Sequence, residues 1–238
     1  MISQLYEIIN NIQKETNYKM NNSKEGLKKE LEKQKEEINN LKKEIEKINN
    51  INKFRELWEF DNSIIKNIKE INLIKSAIEQ RLGKEIKYFK KLYIATRDGE
   101  SAAIFHKLCD NLENTISLIK TGGNRRFGGF TTQTWNQVSS YTKTDKHAFV
   151  FSLDKLKIYP YTNNGRAIRC DNNYLPTFGV GNCDFRLYNN PITGKNLYTN
   201  QTSEDRSYNY YGDVNALSED GNANCISTVE IEVYQAII

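Results

Sequence analysis

The chain has 238 residues, 34 of them basic and 30 acidic, for a formal net charge of +4. That length holds one ordinary domain plus an extension, or two small domains, with a sizeable core that needs no covalent staples. So mild and mixed a charge does not by itself point to nucleic acid. The four cysteines, Cys109, Cys170, Cys183 and Cys225, form no C-x-x-C and read as small buried thiols, not as a zinc knuckle or a redox pair. No window approaches the roughly 20 apolar residues of a spanning helix, and the first residues lack a basic start followed by an apolar run. The expectation is a soluble intracellular protein, cytoplasmic in the simplest case.

From Ser23 to Gly83 there is no proline, and apolar residues recur at intervals of three and four. Leu27, Leu31, Ile38, Leu41, Ile45 and Ile48 fall on alternating heptad positions, with Gln34 filling the slot between Leu31 and Ile38, which predicts a helical seam. The lysines and glutamates between them form a solvated face with weak ion pairs. The register breaks around residues 49–61, where Phe54, Leu57, Trp58 and Phe60 crowd together, and resumes at Ile64, Ile68, Ile71, Ile78 and Leu82, with Gly83 as a C-cap. Two helical segments folded back on each other, or one long helix pairing with another chain, fit this pattern equally. Self-association through residues 24–82 is one consequence. The expected division is a helical coiled-coil region over 1–84 and a second domain over 85–238.

The second half changes to strands and turns. Leu92 to Ala95 reads as a strand, Arg97-Asp98-Gly99 as a turn, and Ala102 to Leu108 as a helix capped by Asp98 or Ser101. Thr115 to Lys120 and RRFGGFTT read as a hairpin turning at Gly122-Gly123, with Gly128 and Gly129 marking a bulge or a close approach. Further strands are expected at Ala148 to Leu153, Ala167 to Cys170, Phe185 to Tyr188 and Ser227 to Ile237. The last alternates Val229, Ile231, Val233 against Glu230, Glu232, Tyr234, as a strand with one wet face would. With so few helices between them the strands should be antiparallel.

Several chemistries are weak on inspection. Gly99-Glu100-Ser101-Ala102-Ala103 looks like a nucleophile elbow, but the βαβ units of that fold are missing and His147 is the only plausible base, since His106 shares a helix with Ser101. A cap is the commoner role for such a serine. There is no phosphate loop, Gly179-Val180-Gly181 lacks a third glycine and a following helix, and R-x-F-G-G-F lacks the third aromatic of an RNA-binding strand. His106 and Cys109 lie three apart on a helix, with no second pair to complete a metal site. No cofactor is called for.

Taken in order, LYIATRDGESAAIFHKLCDN, TISLIK, RRFGGFTTQTW, HAFVFSL, FGVGNCDFRLYNN and VEIEVYQ resemble the TLDc domain family over about residues 85 to 238. The resemblance implies an α+β fold, an antiparallel two-sheet β-sandwich with a few short helices, here preceded by the helical coiled-coil arm. It places Arg97, Asp98 and Gly99 in the family's R-D-G turn, Phe105, Cys109 and Asp110 on its F-x-x-x-C-D helix, and Phe127, Gly128, Gly129, Phe130 and Trp135 in its central hairpin. Phe178, Gly179, Gly181, Asp184 and Phe185 match its glycine loop, where Val180 and Cys183 depart from the usual pattern. Glu230, Glu232 and Tyr234 match its terminal strand. What the resemblance implies about function is a non-enzymatic protein-binding role, with the peripheral stalk of a V-type ATPase as a plausible partner and a link to oxidative stress. The alternative is a scaffold subunit docking by its helical arm on a larger assembly such as a cytoskeletal array. An enzyme using Ser101 or Cys109 ranks below both.

Overall fold

The computed structural model describes residues 2–19, 24–57, 64–179, 184–202, 206–218 and 222–238. The chain divides into two compact units, Met1–Glu56 and Leu57–Ile238. In the first, α1 (Ile2–Lys19) and α2 (Lys24–Leu57) are helices. The heptad positions of α2 form its least exposed stripe, with Gln34 and Ile45 buried and Leu31, Ile38, Leu41 and Ile48 partly covered. On α1, Ile9 is buried at the centre of a matching stripe. Gln13, Thr16 and Asn17 line one cleft with Leu31, Gln34, Lys35 and Ile38, so the helix that folds back against α2 is α1.

The second unit begins with α3 (Ile68–Leu82). Asn67 caps its N-terminus, its side chain accepting from the Glu70 N–H at 3.2 Å, and Gly83 ends it in the left-handed conformation at φ 65°, ψ 25°. There follow β1 (Tyr88–Ile94), a single helical turn α4 (Ala95–Asp98), α5 (Ala102–Cys109), β2 (Thr115–Thr121), β3 (Arg126–Thr131), β4 (Tyr141–Lys143), β5 (Phe149–Ser152) and β6 (Lys157–Pro160). The remaining strands are β7 (Ile168–Cys170), β8 (Tyr174–Phe178), β9 (Phe185–Tyr188), β10 (Leu197–Asn200), β11 (Asn222–Ile226) and β12 (Thr228–Ile237). They form two antiparallel sheets in the orders β1-β12-β2-β3-β5-β6 and β11-β10-β9-β8-β7-β4. The fold is thus an α+β sandwich of two antiparallel sheets with a few helices.

Between the sheets, residues from alternate strand positions make one apolar cluster that includes Ile119, Phe127, Val150, Tyr159, Ile231 and Val233 on one side and Ile168, Leu175, Phe178, Phe185, Leu187 and Leu197 on the other. The opposite face of the first sheet is also buried. Phe89, Ile116, Leu118, Phe130, Phe149, Phe151 and Tyr234 alternate with the inward set, and the Ile71, Ile74 and Ile78 stripe of α3 is equally inaccessible. Helix α3 packs against β6, and the Arg81 guanidinium sits 4.7 Å from the centre of the Phe149 ring. The second unit therefore has three layers: α3, a doubly buried sheet, and the second sheet. The Ile71, Ile74 and Ile78 stripe of α3 is thus covered within the chain, by packing of the second unit.

Two local readings also change. Residues 122–124, not two glycines alone, make the β2–β3 turn: Thr121 N–H donates to Arg125 C=O at 2.9 Å, and Asn124 sits at φ 64°. A three-residue loop ending in a left-handed residue is the next commonest hairpin closure, and asparagine tolerates that conformation. The wet face expected for the last strand is absent. Glu232 and Tyr234 are fully buried under the α3 side, and Val229 is exposed because the β12–β2 register slips between Thr228 and Glu230.

Candidate functional site

Ser101 ends an extended stretch and caps α5, its hydroxyl accepting from Ile104 N–H at 3.3 Å. Asp98 instead accepts from Ile94 N–H at 2.9 Å and pairs with the exposed Arg97. Tyr93 donates to the Gly99 carbonyl at 2.9 Å, which pins the R-D-G turn over the sheet edge. One turn along α5, His106 is buried with both ring nitrogens facing oxygens, Asp110 Oδ1 at 2.7 Å and the Asp171 carbonyl at 2.9 Å. The other Asp110 oxygen accepts from Gln137 N–H at 2.6 Å, so this short helix is bolted to the β3–β4 connection. Cys109 is wholly inaccessible, and burial pushes its thiol well above the ordinary range. That is the wrong direction for a nucleophile.

The FGGF stretch has a packing explanation. Strand β3 runs in unbroken register with β2, so the glycines mark close approach and no bulge. A Cβ on Gly128 would stand 2.0 Å from the Ser117 carbonyl oxygen and 2.7 Å from the Phe151 ring, while one on Gly129 would stand 2.6 Å from the Phe178 ring on the opposite face. Each glycine admits an aromatic ring against the strand. Phe178 in turn stacks on Phe185 at 4.9 Å and meets Trp135 edge-on at 5.7 Å, and Trp135 meets Phe105 at 5.7 Å. The indole N–H donates to Thr115 Oγ1 at 2.9 Å.

The glycine loop closes on Asp184. Gly179 holds φ 82°, and a Cβ there would collide with Asp184 Oδ2 at 2.1 Å. The Asp184 carboxyl is buried and accepts from Ser207 N–H at 3.0 Å and Tyr208 N–H at 3.3 Å. Burial pushes it up to about 7 although these donors favour the ionised form. Gly181, the third glycine-loop residue expected from sequence, lies outside the described residues, as do Val180 and Cys183.

On the terminal strand, Glu230 reaches Thr96 N–H at 3.1 Å, tying β12 to the R-D-G turn. Glu232 accepts from Ile64 N–H at 3.2 Å and from the Tyr234 hydroxyl at 2.6 Å, and burial pushes it up from 4.5 to about 7. The folded state holds the Glu232 and Asp184 protons to about pH 7, whereas unfolded carboxyls release theirs near pH 4. Between those values the native state is the more protonated, so these two groups make stability fall as pH rises. Glu232→Gln should flatten that decline by on the order of 2–3 kcal/mol between pH 4.5 and 8. Calorimetric melting of both proteins across that range checks it; identical slopes would refute the assignment.

The motif residues are thus spread through the sandwich and do not converge on one pocket. Phe105, Phe127, Trp135, Phe178 and Phe185 belong to the aromatic core; Gly99, Gly128, Gly129, Gly179 and Asp184 shape its turns and contacts; Phe130 and Glu232 face α3; Arg97 and Glu230 are at the rim. His147 borders an open polar depression with Thr132, Gln133, Lys146, Tyr161 and Asn163. Its floor, Asp145, is already bonded to Thr131 Oγ1 at 2.8 Å, Thr132 N–H at 2.6 Å and His147 N–H at 3.0 Å. Among the described residues no group of three His, Cys, Asp or Glu side chains could hold a metal, and no helix is long and apolar enough to cross a membrane.

Sequence reading passed over the polar centre of the α3 layer. Arg126 donates to Glu70 through both terminal nitrogens, at 2.9 and 3.0 Å, to Asp154 Oδ1 at 3.0 Å from Nε, and to the Ile64 carbonyl at 3.1 Å. Glu70 also accepts from Lys66 N–H at 2.8 Å. The spacing Asn67-x-x-Glu70 signals a helix start, but nothing in it names the arginine across the sheet.

A sequence model of the TLDc domain matches residues 59–237, a span that takes in α3 and, among the described residues, β1 to β12. No curated protein matches the chain. With three quarters of its length covered by that one model, in a fold whose turns and core are made by the motif residues, the chain belongs to the TLDc domain family.

Proposed function

We propose that this chain is a non-enzymatic, cytoplasmic adaptor whose sandwich binds a protein partner, with the peripheral stalk of a V-type ATPase as that partner, and whose α1–α2 region extends the contact or sets oligomeric state. The observation that supports this reading is the family membership. The occupation of the two candidate nucleophiles agrees with it: Ser101 is a helix cap and Cys109 is buried with a raised thiol. A role in the oxidative stress response would then act through the partner complex. The length of α2, 34 residues or about 50 Å at 1.5 Å per residue, favours the rival scaffold reading to the extent that a long helix suits docking along an array.

Affinity capture of the full chain from a lysate that preserves the proton pump, read by mass spectrometry, should enrich V-type ATPase subunits. The yield should be unchanged by Ser101→Ala and Cys109→Ser. Enrichment of a filament protein with no pump subunit would replace the adaptor reading with the scaffold one.

A further inference from the structure

Helix α2 runs without a break from Lys24 to Leu57, so the heptad positions of its sequence share one side of one helix. With Leu31, Ile38 and Ile45 at a, the d positions are Leu27, Gln34, Leu41 and Ile48. The flanks of that seam are sorted by charge. The g positions carry Glu30, Glu37 and Glu44, and the e positions carry Lys28, Lys35 and Lys42. Beyond these the flanks are uncharged, with Ser23 at the preceding g and Asn49 at the following e. Every other charge from Glu25 to Lys47 falls on b, c or f, away from the seam, and Lys24 stands ahead of it.

Helix α1 covers this seam within one chain and leaves it incomplete. With 18 residues against 34, α1 spans about half the length of α2. Leu31, Ile38, Leu41 and Ile48 stay partly exposed beside it. Among the described residues no ion pair joins the two helices; Lys35 pairs with Glu32 at 2.9 Å, an exposed contact within α2 itself. At the centre of the seam Gln34 is only 9% exposed, and its amide oxygen has no hydrogen-bond donor. Thr16 of α1 lines the same cleft but spends its hydroxyl on the Ile12 carbonyl at 2.7 Å. The Gln34 amide nitrogen reaches Glu30 of its own helix, at 3.5 Å. A buried carbonyl oxygen left without a donor is costly.

A second copy of α2 supplies what is missing. In a parallel pair of coiled helices each g residue faces the e residue of the next heptad in the other chain, so Glu30 meets Lys35 and Glu37 meets Lys42, each twice by symmetry. In an antiparallel pair g faces g and e faces e, which sets glutamate against glutamate and lysine against lysine. Isoleucine at a, in Ile38 and Ile45, with leucine at d, in Leu27 and Leu41, is the choice that favours two parallel strands; Leu31 and Ile48 depart from it. In register, the d residues of two chains stand side by side, and each Gln34 amide can donate to the orphan oxygen of the other. We propose that α2 is one strand of a parallel, in-register homodimeric coiled coil over residues 27–48, in which the second copy's α2 takes the seam that α1 covers in a single chain. The Lys35–Glu32 contact does not oppose this, because an exposed pair of that kind is weak and Lys35 exchanges it readily. The inference rests on the reading that the α1–α2 region sets oligomeric state, and gives that region a partner and an orientation.

The test mixes the full-length wild type with the charge-swapped variant Glu30→Lys/Lys35→Glu/Glu37→Lys/Lys42→Glu, one of them carrying a short tag, and counts the species by native mass spectrometry. The swap keeps the net charge and every a and d residue. Each protein alone should be a dimer of 27.7 kDa chains. In the mixture, heterodimers should fall about tenfold or more below their statistical share, because each would bring Glu against Glu and Lys against Lys. Heterodimers above that share would mean antiparallel helices, and a statistical mixture would mean that the flanks face no partner. Either result overturns the proposal, as does a trimer or tetramer. A monomeric wild type overturns it too and removes the oligomerisation role from α1–α2, while the capture experiment still judges the adaptor reading separately. Two further variants probe the seam without touching its charges, and they decide the matter if the swap lowers helix content by circular dichroism. Gln34→Leu should tighten the dimer about tenfold, since a polar residue in such a seam costs stability. Ile9→Ser, which weakens only the α1 contact, should tighten it as well. An unchanged or weaker dimer in either variant would make α1, and not a second chain, the partner of the seam, and overturns the proposal.

Discussion

Replacing Arg126 with leucine should lower the stability of the second unit by about 3–5 kcal/mol, the cost found when one partner of a buried ion pair is removed. The reason is the environment of Glu70. Its carboxylate is almost inaccessible, at 2% relative exposure, and Arg126 supplies both of its strong donors from the sheet. Without the guanidinium, Glu70 keeps Lys66 N–H and its capping contacts with Asn67 but loses its counter-charge. The Ile64 carbonyl also loses its donor. Helix α3 is the element that loosens, because the guanidinium joins it to β3 and to Asp154 beyond β5. The double variant Arg126→Leu/Glu70→Leu should recover part of the loss, since replacing both charges removes the desolvation problem along with the attraction. Denaturant melts of the single and double variants measure this directly; additive losses would show that the two residues are not coupled.

The same layer decides where the domain can be cut. A fragment starting at residue 85 lacks α3 and uncovers Ile116, Leu118, Phe130, Phe149, Phe151 and Tyr234, an apolar face too large to leave in water. Such a fragment should aggregate, while one covering 57–238 should melt cooperatively.

Much of this architecture is legible in the residues. The Asn- and Gly-rich breaks and short apolar runs give the antiparallel strands Thr115–Thr121, Arg126–Thr131 and Phe185–Tyr188, and the serine before Ala102 gives the helix start, because these signals are local. What stays hidden is tertiary. An apolar stripe at Ile71, Ile74 and Ile78 has the same spacing whether it meets another helix or a sheet, so periodicity cannot assign α3 to its layer. Alternation in the last strand suggests a wet face only while nothing is known to cover it, and Glu232 under α3 is the result. Strands β4, β6, β8, β10 and β11 are short and rich in polar residues or proline, and neighbouring strands hold them more than their own propensity does. The positive-φ residues Leu156 and Tyr211 are invisible in sequence because neither residue type announces that backbone.

The glycine pair is the clearest case of a motif whose meaning is steric, and its two members should differ. Gly128→Ala brings a methyl within 2.0 Å of a backbone carbonyl on the paired strand, an atom that cannot move without breaking the β2–β3 ladder. The loss should be at the upper end of overpacking or beyond it, about 3 kcal/mol or more. Gly129→Ala meets only the Phe178 ring, at 2.6 Å, so the conflict lies with a side chain. That ring is wedged between Phe185 and Trp135, so the change should still cost about 1–3 kcal/mol, or several degrees of melting temperature. Shortening the obstacle tells the two apart. Phe178→Leu is destabilising alone, but combined with Gly129→Ala it should cost less than the sum of the two, since the methyl then occupies space the ring has left. With Gly128→Ala the same change should bring no relief, because the carbonyl of Ser117 is still in the way. Strictly additive losses for the Gly129 pair would mean that the glycine serves the backbone and not the ring.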